Sequence, residues 1–195
     1  MKKNTFSLLS VFVMLFAALA LTGCLAKNND VRLLYDTQVP QAVPAATAPR
    51  IVVVQFEDKR TSAELGVRKD GTAFQSSASV SGWVTQALAD ELAARGAQVS
   101  VALSMAQAQM NQPQYIVAGT VENVQLIEKS LTTCQASIRL QTQLYSNAQS
   151  TVTRTFSSQF EKTGIPGAKL GEATLSGALA EALGNAAAAV MGSLR

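Results

Sequence analysis

Strict alternation of apolar and polar residues over positions 134–144 constrains the fold more than any other feature of the sequence. The polar positions hold Gln, Ser and Arg residues. The apolar positions hold Cys134, Ala136, Ile138, Leu140, Thr142 and Leu144. A period of two with one apolar side is typical of an antiparallel strand that faces the core on one side and water on the other. A sheet built from such strands needs a covering layer on its apolar face.

Neighbouring segments extend this strand into a three-stranded meander. Residues 115–121 begin a long strand, and residues 152–160 intersperse apolar residues with Thr and Gln in the same manner. Turns are expected near Lys129-Ser130 and near Asn147-Ala148. The meander therefore predicts one half-buried antiparallel sheet.

Two amphipathic helices are predicted to cover the sheet. The first begins at Ser81, which can cap it, and stops at Gly96. The second closes the chain, with apolar residues every three or four positions from Leu175 to Leu194. This closing helix could instead be a membrane-surface or partner-binding element. Its polar face lacks a Lys/Arg stripe, which favours packing on the sheet.

The remaining elements complete an α+β fold. Residues 50–56 form a β-branched run typical of a buried central strand. Asp70-Gly71 is a turn signal that can close a small hairpin. Residues 98–101 predict a short strand, and residues 104–110 predict a short helix. We expect residues 50–195 to form one domain, a two-layer sandwich in which two main helices cover a mixed, mostly antiparallel sheet.

The N-terminus has the anatomy of a secretory signal. Lys2 and Lys3 precede an apolar run of about 16 residues, which is short of the ~20 that a spanning helix needs. The sequence Leu21-Thr22-Gly23-Cys24 that follows resembles a bacterial lipobox. That resemblance implies that signal peptidase II removes residues 1–23 and that Cys24 carries acyl chains, which hold the protein on a membrane. A transmembrane anchor and an ordinary cleaved signal are the alternatives.

Sorting and spacing follow from the residues after the cysteine. Leu25, rather than Asp, occupies the next position, which implies delivery to the periplasmic face of the outer membrane if the host sorts lipoproteins as enteric bacteria do. Residues 25–49 are polar and then rich in Pro and Ala, a composition that favours an extended tether. Residues 31–35 could pair as an edge strand within it. We therefore predict a lipidated cysteine and tether over residues 24–49.

Charge and composition exclude several functions. Once Lys2 and Lys3 leave with the signal, 14 basic residues remain against 13 acidic ones, without a basic cluster for nucleic acid. The sequence has no histidine, which removes the commonest general base and most zinc sites. No phosphate-binding or dinucleotide motif stands out. We expect a protein that is not an enzyme and that has no catalytic residue, metal or cofactor; a carboxylate-based glycan hydrolase is a weaker alternative.

Four residues merit separate interpretation. Asp58 and Arg60 follow the central strand and could contact a charged ligand or a partner, or could form a local ion pair. Trp83 could anchor a ligand in a groove, or could pack in the core. Cys134 loses its only possible intramolecular disulfide partner if Cys24 is acylated. Cys134 lies on the apolar side of its strand, which favours a buried, inert thiol over a redox site or an intermolecular link.

Several short motifs together resemble the YajG-type lipoproteins of Gram-negative bacteria. They are the lipobox, the Asp58-x-Arg60-Thr61 segment, Leu65-x-Val67-Arg68, and the helix end Leu92-Ala93-Ala94-Arg95-Gly96. The resemblance spans most of residues 50–194. It implies an uncharacterised envelope lipoprotein and carries over no catalytic residue. The layout also resembles the auxiliary lipoproteins of ABC-type lipid transporters, although Tyr35 alone represents the tyrosine-rich opening expected there.

Two main functional hypotheses follow. The first is a lipid-anchored domain that binds another envelope component, a protein, for example by strand addition at a sheet edge. The second is a carrier of a lipid tail or glycan, which needs an apolar cavity between sheet and helix. The residues that would line this cavity are Ile138, Leu140, Phe156, Leu179 and Leu183. No oligomeric state is predicted, because the same apolar stripes serve a core or a symmetric interface.

Overall fold

One mixed sheet of eight strands, packed with three helices, makes up the described part of the chain. The computed structural model describes residues 29–37, 39–146 and 149–194. In chain order the elements are β1 Arg50–Val54, β2 Glu57–Asp58, β3 Gly66–Val67, β4 Ala73–Phe74, α1 Val80–Ala94, β5 Gln98–Ala102, α2 Met105–Met110, β6 Tyr115–Ser130, β7 Thr133–Ser146, β8 Gln149–Thr163 and α3 Ala168–Ser193. Every long element lies where the sequence pattern predicts one.

Strand β6 organises the sheet because it has different neighbours along its length. On one side it pairs antiparallel with β7, which pairs antiparallel with β8. On the other side its first half pairs parallel with β1, which pairs parallel with β5. Next along β6, Thr120 and Val121 pair parallel with β2. Its second half pairs parallel with β3, which forms a hairpin with β4. The longest ladders are antiparallel, as the sequence predicts.

In β7, the alternation of apolar and polar residues in the sequence matches an alternation of buried and more exposed side chains in the structure. All six residues on its apolar side are buried, and Ala136 and Leu140 are fully inaccessible to water. This face belongs to one large hydrophobic cluster that it shares with α1 and α3. A smaller cluster on the other face places α2 over β1, with Val52, Ala108 and Ile116 at its centre. The prediction of an α+β fold with a helix-covered, mixed sheet is confirmed.

The helix α3 approaches β8 unusually closely at one position. A Cβ atom on Gly177 would lie 2.6 Å from Cε1 of Phe160, so only glycine lets the helix and the strand approach to this distance. Ser158 Oγ donates to the carbonyl oxygen of Ala178 at 2.6 Å, beside the same contact. Gly177 therefore fixes how the covering helix sits on the meander.

The start of α1 differs from the prediction by two residues. Ser79 is the N-cap, and its Oγ accepts a hydrogen bond from the backbone N–H of Gly82 at 3.2 Å. Ser81 lies inside the first turn, where its Oγ is 3.0 Å from that of Ser79. The cap position was ambiguous because two serines precede the apolar run. The predicted stop is confirmed: Gly96 has a φ of 90°, which favours glycine.

Candidate functional site

Asp58 and Arg60 form a local ion pair at the end of β2. Arg60 Nε donates to Asp58 Oδ1 at 2.9 Å, and Arg60 Nη2 donates to Asp58 Oδ2 at 2.8 Å. The backbone N–H of Arg60 also donates to Asp58 Oδ1, at 3.1 Å. These bonds hold the pKa of the Asp58 carboxyl below its ordinary value, first through the side-chain hydrogen bond from Arg60. This geometry matches the local-pair interpretation.

The rest of the Arg60 guanidinium lies in a concavity of about 280 Å³. The Arg60 side chain is only 9% exposed, and its Nη1 is buried without a hydrogen-bond partner. Thr61, Ser62, Glu64 and Asn123 also line the concavity. Asp58 and Glu64 carry two negative charges, whereas Arg60 carries one positive charge. A neutral carbonyl or hydroxyl oxygen therefore suits the concavity better, as an acceptor for Arg60, than an anion does. A contact role for Asp58 and Arg60 stays a prediction.

Trp83 lies in the core and does not line that concavity. It is 7% exposed, which leaves little of its ring for a ligand. Its indole Nε1 donates to the backbone carbonyl oxygen of Leu34 at 3.1 Å. Leu34 belongs to the stretch that the composition predicts to be a tether. Trp83 therefore fastens this stretch to α1.

The polar trio Tyr35, Glu91 and Arg95 fastens the same stretch. The Tyr35 hydroxyl donates to Glu91 Oε1, and Arg95 Nη1 donates to Glu91 Oε2. Arg95 Nη2 reaches the carbonyl oxygen of Gly184 in α3 at 3.3 Å. Burial, and then the hydrogen bond to Glu91, raises the pKa of Tyr35. The trio thus joins the N-terminal stretch, α1 and α3.

A second ion pair holds the beginning of the stretch on α3. Arg32 Nε donates to Glu172 Oε1 at 3.0 Å, and Arg32 Nη2 donates to Glu172 Oε2 at 3.1 Å. The hydrogen bond from Arg32 lowers the pKa of the Glu172 carboxyl. Next to this pair, Val31 is completely buried in the main core. The sequence does not indicate these contacts, because the paired residues are far apart in the chain and the stretch resembles a linker.

The structure therefore differs from a free tether over residues 29–37. We name this stretch the docked segment. It pairs through a single bridge, between Asp30 and Gln75, rather than as the edge strand considered over residues 31–35. Further along, the backbone N–H of Ala42 donates to the carbonyl oxygen of Ala94 at 3.0 Å. The predicted lipobox, Leu21 to Cys24, lies outside the described residues.

The five residues expected to line a carrier cavity pack together instead. Ile138, Leu140, Leu179 and Leu183 are at most 1% exposed within the main cluster, and Phe156 packs against it. The concavity beside Phe156 measures about 10 Å³, roughly the space of one water molecule. The prediction of a cavity among these residues is wrong, because the small residues of α3 let the helix close onto the sheet.

The edge of β8 is the longest open strand edge among the described residues. β8 spans 15 residues and pairs there with β7 alone. On the opposite side of the sheet, the outermost strands are β5, which has five residues, and β4, which has two residues. Residues 155–160 of β8 contain neither a charge nor a proline. The usual protections against pairing with another chain are missing from this part of the edge.

Three further results concern the thiol of Cys134, metal binding and membrane-spanning helices in the described part of the chain. Cys134 is a buried thiol without a disulfide, and burial raises its pKa, as its place in β7 predicts. Residues 29–37, 39–146 and 149–194 contain no group of three Cys, Asp or Glu side chains placed to hold a metal ion. Among the same residues, no helix combines the length and the hydropathy needed to cross a membrane.

Comparisons with known proteins find similarity in structure but not in sequence. No model of a known protein family matches the chain, and no curated protein matches it. The chain is similar in structure to XCC0632 from Xanthomonas campestris, of the family DUF330, with a TM-score of 0.56 and 14% identity over 83% of this chain and 91% of that one. It is also similar to an uncharacterised protein with a TM-score of 0.50 and 14% identity, over 80% of this chain and 99% of the other.

A looser similarity involves a bacterial lipoprotein. Lipoprotein GNA1162 from Neisseria meningitidis has a TM-score of 0.40 and 15% identity, over 72% of this chain and 99% of that one. At 14% identity, the similarity to XCC0632 and to the uncharacterised protein establishes a shared fold. Membership of the YajG-type family stays a prediction.

Proposed function

We propose that this chain is a non-enzymatic lipoprotein of the outer membrane, lipidated on Cys24, whose periplasmic domain binds another envelope protein. The observation that carries the binding role is the open edge of β8. An unpaired edge offers a row of backbone N–H and C=O groups to which a partner strand can add. The lipid anchor rests on the Leu21-Thr22-Gly23-Cys24 motif.

The edge of β8 suits a protein partner better than a lipid or a glycan. Thr153, Thr155, Ser157 and Gln159 are exposed side by side on one face of the strand. Backbone pairing would supply affinity, and these short polar side chains would supply specificity without a steric barrier. The five residues expected to line a carrier cavity pack together without space for a lipid tail, which removes support from a carrier of that form.

Photo-crosslinking in the living host tests the binding role. A photoreactive amino acid replaces Thr155 or Gln159 on the edge, and a matched control replaces Gln109, which is also exposed and lies on α2. We expect the two edge probes to capture the same envelope protein and the control to capture none. The captured protein should then bind the purified full-length lipoprotein directly. Identification of an ABC transporter subunit would specify the role as that of a transport auxiliary protein.

Three outcomes contradict parts of the proposal. Capture from Gln109 but not from the edge would move the interface away from β8. Absence of any protein from both edge probes, with the domain folded and membrane-attached, would overturn the binding role. Replacement of Cys24 by Ser tests the anchor separately: if the variant keeps its membrane fractionation and mature mass, the lipid anchor is wrong.

A further inference from the structure

The docked segment enters the domain at one particular end. The backbone N–H of Val31 donates to the carbonyl oxygen of Gln75 at 2.8 Å, and the N–H of Gln75 donates to the carbonyl oxygen of Asn29 at 3.0 Å. The Val31 side chain packs beside Gly171, in the first turns of α3. Asn29, the first described residue, therefore lies at the end of the domain where α3 begins.

Two exposed apolar side chains occupy the same end. Leu131, in the turn between β6 and β7, is 63% exposed, and Ile165, in the connection from β8 to α3, is 88% exposed. The backbone N–H of Gly164 donates to the carbonyl oxygen of Thr132 at 2.9 Å, which ties the two connections together. We call the turn 130–132, the connection 164–167 and the nearby hairpin turn 68–72 the anchor end.

Cationic residues are frequent close to these apolar side chains in the sequence. Five of them lie within three positions of the segments of the anchor end, against three carboxylates, and Asp30 of the docked segment adds a fourth carboxylate at the same end. The cationic residues are Arg68, Lys69, Lys129, Lys162 and Lys169, and the carboxylates are Asp70, Glu128 and Glu161. Arg68 is buried, Lys129 pairs with Glu161, and Glu128, which accepts from the backbone N–H of Lys69 at 3.1 Å, is 9% exposed. The exposed positive charge that remains is that of Lys69, Lys162 and Lys169, against Asp70 and Asp30. Lysines around exposed apolar residues are typical of surfaces that bind anionic membranes.

The length of chain before Asn29 decides which partner this end can reach. Residues 25–28 alone separate Asn29 from Cys24. Five residue spacings of about 3.3–3.6 Å span at most roughly 18 Å even when fully extended. With the docked segment bound to the domain, the anchor end must therefore stay close to the membrane surface in which the acyl chains of Cys24 are embedded.

We infer that the anchor end rests on the phospholipid surface, with Leu131 and Ile165 inserted among the headgroups and the lysines against lipid phosphates. This inference rests on the lipid anchor of the proposed function. It gives the domain a fixed orientation. Because β8 ends at Thr163, beside the anchor end, its open edge runs from the membrane surface outward and stays accessible to a protein partner.

Depth-dependent fluorescence quenching tests the inference on the full, lipidated protein. Single substitutions Leu131→Cys and Ile165→Cys, made in a Cys134→Ala background, carry an environment-sensitive fluorophore. The matched control is Leu103→Cys, because Leu103 is also apolar and 75% exposed but directly follows β5, which pairs with β1 and lies outside the anchor end. Each protein is reconstituted in vesicles of phosphatidylethanolamine and phosphatidylglycerol that contain a lipid with a shallow spin label.

We expect the spin label to quench the probes at positions 131 and 165 at least threefold more than the probe at position 103. Replacing phosphatidylglycerol with phosphatidylcholine should reduce that difference. Equal quenching at the three positions, in protein whose mass shows acylated Cys24, would overturn the orientation and leave the lipid anchor standing. Protein without acyl mass on Cys24 would overturn both the anchor and this inference. Circular dichroism of each labelled variant checks that the domain is folded.

Discussion

Two ion pairs of similar composition have different consequences in this molecule. Asp58 and Arg60 are two positions apart, and Glu91 and Arg95 are four positions apart. The Asp58 side chain is 33% exposed and that of Glu91 is 2% exposed, whereas the arginines rank the other way, with Arg60 9% and Arg95 19% exposed. The first pair shapes one turn. The second lies beneath Tyr35 and joins three separate parts of the chain, so the same charges stabilise a local loop in one place and a tertiary junction in the other.

The comparison predicts that burial of the carboxylate, rather than the number of charged contacts, decides how much each ion pair contributes to stability. A partly exposed pair is screened by water and contributes little. A buried pair has already lost its hydration, so removal of one partner leaves the other charge uncompensated and costs several kcal/mol. Substitutions at the two pairs, and at the other contacts of the docked segment, test this comparison in order of expected effect.

Glu91→Gln should have the largest effect. The amide cannot neutralise Arg95, which is 19% exposed and remains held beneath the docked segment. We expect the free energy of unfolding to fall by about 3 kcal/mol, as for a broken buried ion pair. Urea denaturation of the purified domain measures the change. Glu181→Gln, at an exposed glutamate on α3, is the matched control and should change stability little. A loss equal to that of the control would show that the trio is not a junction.

Trp83→Phe should have the next largest effect. The substitution keeps an aromatic side chain but removes the indole N–H that donates to the carbonyl oxygen of Leu34. We expect a loss of about 1–2 kcal/mol, because that carbonyl loses its partner in a part-buried place. Amide hydrogen exchange should accelerate over residues 29–37 more than over β7. Uniform acceleration across both regions would contradict a specific role in holding the docked segment.

The sequence predicts features that depend on neighbouring residues and misses those that depend on distant ones. The alternation of residues 134–144 specifies which face of β7 is buried, since side chains in a strand alternate sides whatever their partners are. Gly96 marks the end of α1 for a similar local reason. The Asp58–Arg60 pair was also visible, because its residues are two positions apart.

The only local signal in the docked segment is the candidate strand over residues 31–35, and it does not indicate which elements these residues contact. Arg32 pairs with a residue 140 positions away, and Tyr35 with one 56 positions away. Their stretch precedes three prolines, which makes it resemble a linker despite its apolar residues. Their burial depends on the groove that α1 and α3 form only after folding. The position of the anchor end was hidden for the same reason, because Leu131 and Ile165 come together only through the meander.

The ion pair of Arg32 and Glu172 should make part of the stability depend on pH. The pKa of Glu172 is lower in the folded protein than in the unfolded chain, so its contribution is complete above the unfolded value of about 4.3. It is lost as the pH falls through the lower, folded value. Glu172→Gln should therefore be less stable than the native protein at pH 7, with a deficit smaller than that of Trp83→Phe, and this deficit should shrink as the pH falls below about 4.3. Urea midpoints at pH 7, 5 and 3 measure this convergence, and a constant gap would contradict it.

Asp58→Asn should have the smallest effect on stability, and so provides the sharpest contrast with Glu91→Gln. The asparagine keeps an oxygen that can accept from Arg60, and the pair is partly screened by solvent. We expect a loss below about 1 kcal/mol in urea denaturation. Because the Asp58 carboxyl also has a lowered pKa, the loss should disappear as the pH falls through its folded value. If Asp58→Asn loses as much stability as Glu91→Gln, this turn and the concavity beside Arg60 are as important to the fold as the buried junction. The exposure of the carboxylate would then not rank the contributions of the two ion pairs.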